Sequence, residues 1–568
     1  MYRLGEKRKI WSNFAAMERS KEGMKRSFGV GFEWLLAILG GAVLSLGWTP
    51  GWGWAAMVGW ALWVEMLRRM AERGAKFWRV VGCFYVGAVV WNVLSVWWIQ
   101  GATVGGMLGA VFALSAVMVL AFWGAEAVWR RLGGRLGRIF LVAVWLWFDY
   151  FFHNAEISWP WLTLGNAFSR QTWAVQWYEW TGALGGTAWV LVAALTLHWL
   201  VMGVVERVTR RSLAWRGVAL TMVLGVPIAV SFVVAHVEER RAEGEPVEVV
   251  VIQPNIDPYS EKFSGMTAME QVARIDSLAR AAITPATKLV LVPETALTRD
   301  IWEHEVAYDE QVEPFRALCR EHGDLVVMVG ASTLQGYMPG EAKSKTARRG
   351  WRGEWWYDAY NSALRVDSSM RVGIYHKSKL VVGVEMLPYP DKLKFLSDLS
   401  IDLGGMVGSL GTQPERSVFS FDGGAVAPII CYESIFGEYV TEYVRRGATL
   451  LGVITNDGWW GDTPGYRQHF SYSRLRAIET RRYVARSANT GISGFISPRG
   501  QVTAMLGWAK MGWLRATLHH RTEETFYVRY GDYFGRVGKF VSILIALVAL
   551  TRWGQGWLDK KKAIPSRG

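Results

Sequence analysis

The chain has 568 residues, 51% of them hydrophobic, with 33 tryptophans and a formal net charge of +14. That length leaves room for two or three domains, and the tryptophan load suits membrane–water interfaces better than a soluble core. The positive charge lies in short Arg/Lys runs between long apolar stretches, which excludes a nucleic-acid surface and points to anionic lipid and membrane orientation.

In chain order, residues 1–27 form a basic tail, poor in apolar residues and without a small-x-small cleavage site beyond it, so the first helix is expected to be uncleaved. Seven apolar, nearly uncharged stretches follow at about 30–48, 53–67, 79–99, 104–124, 138–152, 183–203 and 216–235, and an eighth lies near 534–551. The connections 68–77 (RRMAERGAKF), 130–138 (RRLGGRLGR) and 207–216 (RVTRRSLAWR) are strongly basic, as are the N-terminal tail and the final WLDKKKAIPSRG. Threading eight spans in order puts all five basic regions on one side, which the positive-inside rule makes cytoplasmic. A bundle over 28–236 and a last helix over 534–552 then enclose an insert, 237–533, on the opposite side, with 553–568 as a cytoplasmic basic tail. A transporter is the plainer alternative for such a bundle, but no pair of matching broken segments is visible. The charges at Glu33 and Glu65 fall near segment ends.

From Val247 the texture changes to alternating strands and helices. VEVVVIQPNI (247–256), KLVLVPE (288–294), DLVVMVGAS (324–332), YNSALRV (360–366) and VGIYHKSKL (372–380) read as buried strands. Helical periodicity runs through 271–283, VEPFRALCREHG, about 436–445 and 468–485, with further strands in SVFSFDGGAVAPIICYE (417–433), ATLLGVITND (448–457) and YVARSANTGISGFISPRG (483–500). Full β-branched runs imply sheets covered on both faces, and so two layers of sheet with helices outside.

Three polar residues end buried strands here: Glu294, Lys377 and Cys431. Taken singly, Glu294 reads equally as a loop carboxylate, Lys377 as a solvated lysine and Cys431 as filler. Strand ends are where ligand sites collect, and a cysteine nucleophile needs a base and a cation for its oxyanion. His376, His469 and the scattered aspartates show no metal-ligand spacing. Cys83 lies in an apolar segment and Cys319 in an expected helix; Cys319 and Cys431 would share the oxidising side, but a catalytic thiol must stay free, so no disulfide is expected.

The trio, embedded in PETAL, YHKSKL and CYESIFG, resembles the Glu-Lys-Cys triad of the nitrilase (carbon–nitrogen hydrolase) superfamily. With eight membrane segments and the long stretch 455–493 (TNDGWWGDTPGYRQHFSYSRLRAIETRRYVARSANTGIS), the chain resembles its apolipoprotein N-acyltransferase family; 156–168 and 176–189 match that family's outward-facing segments. The resemblance implies eight transmembrane helices with an inserted αββα sandwich in the cell inner membrane, the catalytic domain periplasmic and both termini cytoplasmic. It implies Glu294 as general base, Lys377 as oxyanion stabiliser and Cys431 as nucleophile, with Glu385, Tyr432 and Glu433 in support. It further implies a membrane phospholipid as acyl donor through a thioester and a diacylglyceryl apolipoprotein as acceptor. No cofactor, metal or nucleic acid is implied, and a monomer is the default. One departure stands out: the family's Pro-Phe-Gly-Glu is Val382-Gly383-Val384-Glu385 here, which removes a φ constraint while keeping the glutamate. The rivals are a membrane-tethered amidase with water as acceptor, and a non-enzymatic receptor or transporter carrying a decayed domain.

Overall fold

The computed structural model describes residues 31–350, 353, 355–386 and 409–562. The tail 1–27 and the last residues of 553–568 lie outside the described residues. A helix occupies each of the eight apolar stretches: α1 (Gly31–Ser45), α2 (Gly53–Glu72), α3 (Phe77–Val96), α4 (Val104–Leu132), α5 (Gly134–Asn154), α6 (Tyr178–Val205), α7 (Arg210–Glu239) and, at the far end of the chain, α13 (Tyr533–Lys562). Six of these, α3 to α7 and α13, are long and apolar enough to cross a membrane. The helices run further than the apolar stretches and take in parts of the basic connections 68–77, 130–138 and 207–216. Arg and Lys are good helix formers whose long stems let their charges leave the apolar layer, so charge ends the hydropathy signal before it ends the helix. Glu33 is buried, 3.5 Å from Arg73 and 3.9 Å from Arg79. Glu65 joins α2 to α6 by accepting from Arg68 and Arg69 and contacting His198 at 2.8 Å.

The domain between α7 and α13 holds two sheets. The first has eight strands: β1 (Pro246–Gln253), β2 (Thr287–Leu291), β3 (Leu297–Trp302), β4 (Val326–Gly336), β5 (Arg348–Arg349), β6 (Trp356–Val366), β7 (Gly373–His376) and β14 (Gly512–His519). The second has six: β8 (Phe419–Phe421), β9 (Gly424–Ile430), β10 (Leu450–Thr455), β11 (Val484–Ala488), β12 (Ser493–Ile496) and β13 (Val502–Leu506). β1, β2 and β4 run parallel, as do β9, β10 and β11, the usual outcome when helices cross between strands. Those helices are α8 (Ala268–Ala282), α9 (Glu313–Glu321), α10 (Gly437–Arg445) and α11 (Pro464–Thr480), with the short α12 (Phe526–Tyr530) leading into α13.

Alternation along β1 explains its uninterrupted apolar run. Val249 and Val251 share a core with Val426 and Ile429 of the second sheet, while Val250 and Ile252 pack with Ile275 and Phe315 of the outer helices. Both faces are buried, so no polar residue is needed at every second position. Strands β3, β13 and β14 carry no such run and are absent from the sequence reading; β14 is held by an eight-residue antiparallel register on β1. Helix α11 begins and ends earlier than the 468–485 expected. Thr463 caps its start ahead of Pro464, and Arg481 turns left-handed (φ 51°) to end it before β11.

Candidate active site

The site is assembled where strands of both sheets end. Beyond β2, Pro293, Glu294 and Thr295 make a tight turn with Thr295 at φ 48°. The turn lies directly on Gly330 of β4, whose N–H donates to the Pro293 carbonyl at 3.1 Å. A Cβ at position 330 would sit 2.5 Å from Pro293 O and 2.6 Å from Glu294 Cα, so only glycine lets the Glu294 turn approach β4 so closely. Glu294 Oε1 accepts from Lys377 Nζ and Asn361 Nδ2, each at 2.8 Å, and Oε2 accepts from the Asn456 backbone N–H at 3.0 Å.

Lys377 follows β7, and its backbone N–H is anchored on the Asn361 carbonyl of β6 at 2.8 Å. Its Nζ also donates to Glu385 Oε1 at 2.8 Å, and Asn361 Nδ2 reaches the same oxygen at 3.0 Å. The departing loop still presents that glutamate. Gly383 at φ 81° turns the chain, Glu385 N–H donates to Val381 O at 2.9 Å, and Val381 N–H donates to Glu385 Oε2 at 2.8 Å. One buried ammonium therefore faces two carboxylates. Burial alone would push Lys377 down, yet Glu294 and then Glu385 carry it well above its ordinary pKa. Burial would raise Glu294, but the charge and hydrogen bond of Lys377 outweigh it, and the carboxyl is held below its usual range.

Cys431 comes directly after β9 and adopts φ 50°, a left-handed backbone that non-glycine residues rarely occupy. It is 8% exposed, and its thiol lies in the field of the Glu294 carboxylate and the Lys377 ammonium. Burial, then the negative charge of Glu294, raise the thiol well above its ordinary value, against an opposing pull from Lys377. At rest the sulfur carries its proton next to a carboxylate that can take it. Glu433 locks the turn from beneath. Its Oε1 accepts from Ser378 N–H (2.8 Å), Tyr375 OH and Tyr439 OH (2.6 Å each), and its Oε2 from Ile430 N–H (2.8 Å). Because Ser378 adjoins Lys377, this one carboxylate ties the Cys431 turn to the Lys377 loop.

A second group under Cys431 escaped sequence reading. His469 of α11 lies 3.1 Å from the Cys431 carbonyl through Nε2 and 2.8 Å from Asp457 through Nδ1. A carbonyl only accepts, so Nε2 carries a proton and donates. Ser434 Oγ donates to the same carbonyl at 2.7 Å, and Arg486 of β11 donates to Asp457 Oδ2 at 2.9 Å. Burial would raise Asp457, but Arg486 and His469 bring it down to about 2. Ligand atoms of Cys431, Asp457 and His469 fall within 4.8 Å of one another, a grouping that sequence spacing missed. Arg486 already supplies the cation there, so the donor set is closed as a hydrogen-bond network and fits a metal poorly.

The site rests on the bundle. Tyr432 OH donates at 3.0 Å to Ser158 O on the segment leaving α5, and Lys379 Nζ donates at 3.0 Å to His153 O in the last turn of α5. Trp161 packs between Trp98 and His469, with ring centroids 4.8 and 5.8 Å away, and donates to Gln468 of α11 at 2.8 Å. The six residues singled out in the sequence thus divide plainly. Glu294, Lys377, Cys431 and Glu385 meet; Glu433 braces two loops; Tyr432 points to the bundle. Asn361 and Gly330 lie in stretches that read only as strand, and Asp457, His469 and Arg486 lie in 455–493, which carries the family resemblance but gave them no role.

Residues 249–527 match the carbon–nitrogen hydrolase family, which sets the class of the domain. Residues 40–196 match the apolipoprotein N-acyltransferase N-terminal domain. The apolipoprotein N-acyltransferase of Chlorobaculum tepidum is 31% identical over 512 residues, 88% of this chain and 92% of that protein. That of Gloeobacter violaceus is 27% identical over 553 residues, 94% and 96% of the two chains. Among solved structures, Saccharomyces cerevisiae Nit3 of the nitrilase superfamily aligns with 49% of this chain and 91% of its own at 15% identity and a TM-score of 0.35. The chain belongs to the apolipoprotein N-acyltransferase family and is an acyltransferase.

Proposed function

We propose that the enzyme moves an acyl chain from the sn-1 ester of a membrane phospholipid, through a thioester on Cys431, to the α-amine of a diacylglyceryl-cysteine at an apolipoprotein N-terminus. The observation that carries the residue roles is the buried Glu294–Lys377 pair at 2.8 Å, whose two charges both act on the Cys431 thiol. Glu294 takes the thiol proton as sulfur attacks the ester carbonyl, and Lys377 faces the oxyanion. Collapse breaks the C–O bond, and the proton passes from Glu294 to the departing alkoxide, releasing lysophospholipid. In the second half the amine attacks the thioester, Glu294 takes a proton from nitrogen, and the C–S bond breaks to leave amide and thiol. Glu385 and Glu433 position the lysine, and Tyr432 positions the nucleophile turn over the bundle.

Eight spans over 28–236 and 534–552, with 237–533 periplasmic and both termini cytoplasmic, fit this chemistry, since both substrates are lipids held at one membrane face. The enzyme acts as a monomer in this scheme. Intact mass after incubation with phospholipid, beside Cys431→Ser, tests it. The expected result is one hydroxylamine-labile acyl chain on the wild type, none as thioester on the variant, and discharge by a diacylated lipopeptide. Folded protein that gains no adduct without acceptor would overturn the thioester route and favour hydrolysis of soluble amides.

A further inference from the structure

A second buried lysine touches the base, and the scheme above gives it no task. Lys262, between β1 and α8, is 3% exposed. Its Nζ donates to Thr295 Oγ1 at 2.6 Å and to the Glu294 carbonyl at 3.3 Å. These acceptors belong to the turn that presents Glu294, including its left-handed residue Thr295. Gln271 of α8 fixes the lysine's own backbone by donating to Lys262 O at 2.7 Å. Lys262, Gln271, Ile256, Pro293, Glu294 and Asn489 line a small cavity of about 10 Å³ behind the base.

We propose that Lys262 is a positioning residue for the general base, pinning the Pro293–Thr295 turn and setting the proton affinity of Glu294 from its backbone end. A neutral donor would suffice to hold a turn, whereas a buried ammonium is costly to desolvate unless a counter-charge answers it. Glu294 is the ionisable group acting on Lys262; Phe263 offers only its ring, 5.7 Å away. Burial lowers Lys262 to about 8, and Glu294 opposes that fall. The ionisable groups facing Glu294 are then Lys377, Cys431 and Lys262, with Glu385 reached through Lys377. Lys377 holds the Glu294 carboxylate ionised, and the Lys262 ammonium, itself sustained by Glu294, adds a second positive charge at the backbone end, so in this proposal its loss raises the proton affinity of Glu294.

The inference rests on Glu294 being the base, and its test separates the two claims. Full-length protein in detergent is treated with iodoacetamide across a pH series, and the alkylation rate of Cys431 is read by peptide mass. The wild-type rate rises with pH as Glu294 ionises. In Lys262→Met that limb moves to higher pH by about half a unit or more. Lys262→Arg, which keeps the charge, leaves the limb where it was. Thr295→Val, which removes the anchoring hydroxyl but not the charge, lowers the plateau without moving the limb. A Lys262→Met limb that stays put, or a rate lowered equally at every pH, overturns the electrostatic role. Should Lys262→Met fail to fold, a limb displaced in Lys262→Arg does the same, and an unchanged Thr295→Val plateau overturns the pinning. A limb that persists in Glu294→Gln overturns the assignment of the base, independently of Lys262.

Discussion

The two sheets of the sandwich serve the site in different ways. The eight-stranded sheet delivers charge: Glu294 after β2, Asn361 on β6 and Lys377 after β7 meet as side chains, hydrogen-bonded to one another. The six-stranded sheet delivers position: Cys431 after β9 brings the reacting sulfur, while Asp457, His469 and Arg486 hold the backbone it sits on. The carboxylate and ammonium that surround the thiol thus come from one sheet, and the thiol with the frame that holds it still comes from the other. Substitutions on the first should change the chemistry, and those on the second should change stability or geometry first.

The largest effect is expected at Lys377→Met. It leaves Glu294 and Glu385 facing each other in a buried site, a loss of about 3–5 kcal/mol for a broken buried pair, together with the oxyanion's cation. Acyl-enzyme formation should fall at least about a hundredfold. Stopped-time mass spectrometry on folded protein measures it; a thioester forming at the wild-type rate would break the division between the sheets. Next is Gly330→Ala, which touches no charge. The added Cβ overlaps the Glu294 turn, and a displacement of about 1 Å in a catalytic group can cost about a hundredfold in rate. Acylation should drop while the thermal midpoint changes much less, a pattern that would place position-setting on the first sheet as well and blur the contrast.

These two residues also mark how far the sequence could be read. Lys377 stood out because a charge directly after an apolar strand is conspicuous locally, and the same holds for Glu294 and Cys431. Gly330 looks like any small residue in DLVVMVGAS; its purpose depends on a turn 36 residues earlier in the chain, and no periodicity carries that. Asn361 is hidden in YNSALRV for the same reason. His469 lacks ligand spacing because its partners Asp457 and Arg486 are brought to it by the parallel pairing of β10 with β11. β13 and β14 went unread because their exposed, mixed residues lack the double-sided burial that made β1 and β2 legible.

The second sheet is best tested by acid. Asp457 is held at about 2 against an ordinary 3.8, by Arg486 and His469 acting against burial. A depressed carboxyl stabilises the fold above its unfolded pKa, and the contribution is lost as pH falls from about 4 towards about 2. For this shift that is about 2 kcal/mol. Asp457→Asn should therefore unfold more easily than wild type near pH 6 and converge with it as pH falls through that window. Thermal unfolding in detergent measures this, and a gap that holds constant down to about pH 2 would show that Asp457 gains nothing from Arg486 and His469.

Tyr432→Phe is the mildest change and tests what joins the second sheet to the bundle. It keeps the ring, which packs 5.2 Å from Phe436, and removes only the hydroxyl that donates to Ser158 O. One lost hydrogen bond is worth about 0.5–1.5 kcal/mol, leaving the Ser158 carbonyl to find another donor. The triad itself is untouched, so Cys431 should react with small soluble iodoacetamide at the wild-type rate. In the proposed reaction phospholipid reaches the sulfur from the bundle, and a turn released from the segment after α5 presents that sulfur less consistently. Acylation by phospholipid should fall about three- to tenfold while alkylation does not, and the ratio of the two rates is the readout. If both rates fall together, the hydroxyl holds the nucleophile turn itself, and the second sheet's scaffold extends into the bundle rather than ending at His469.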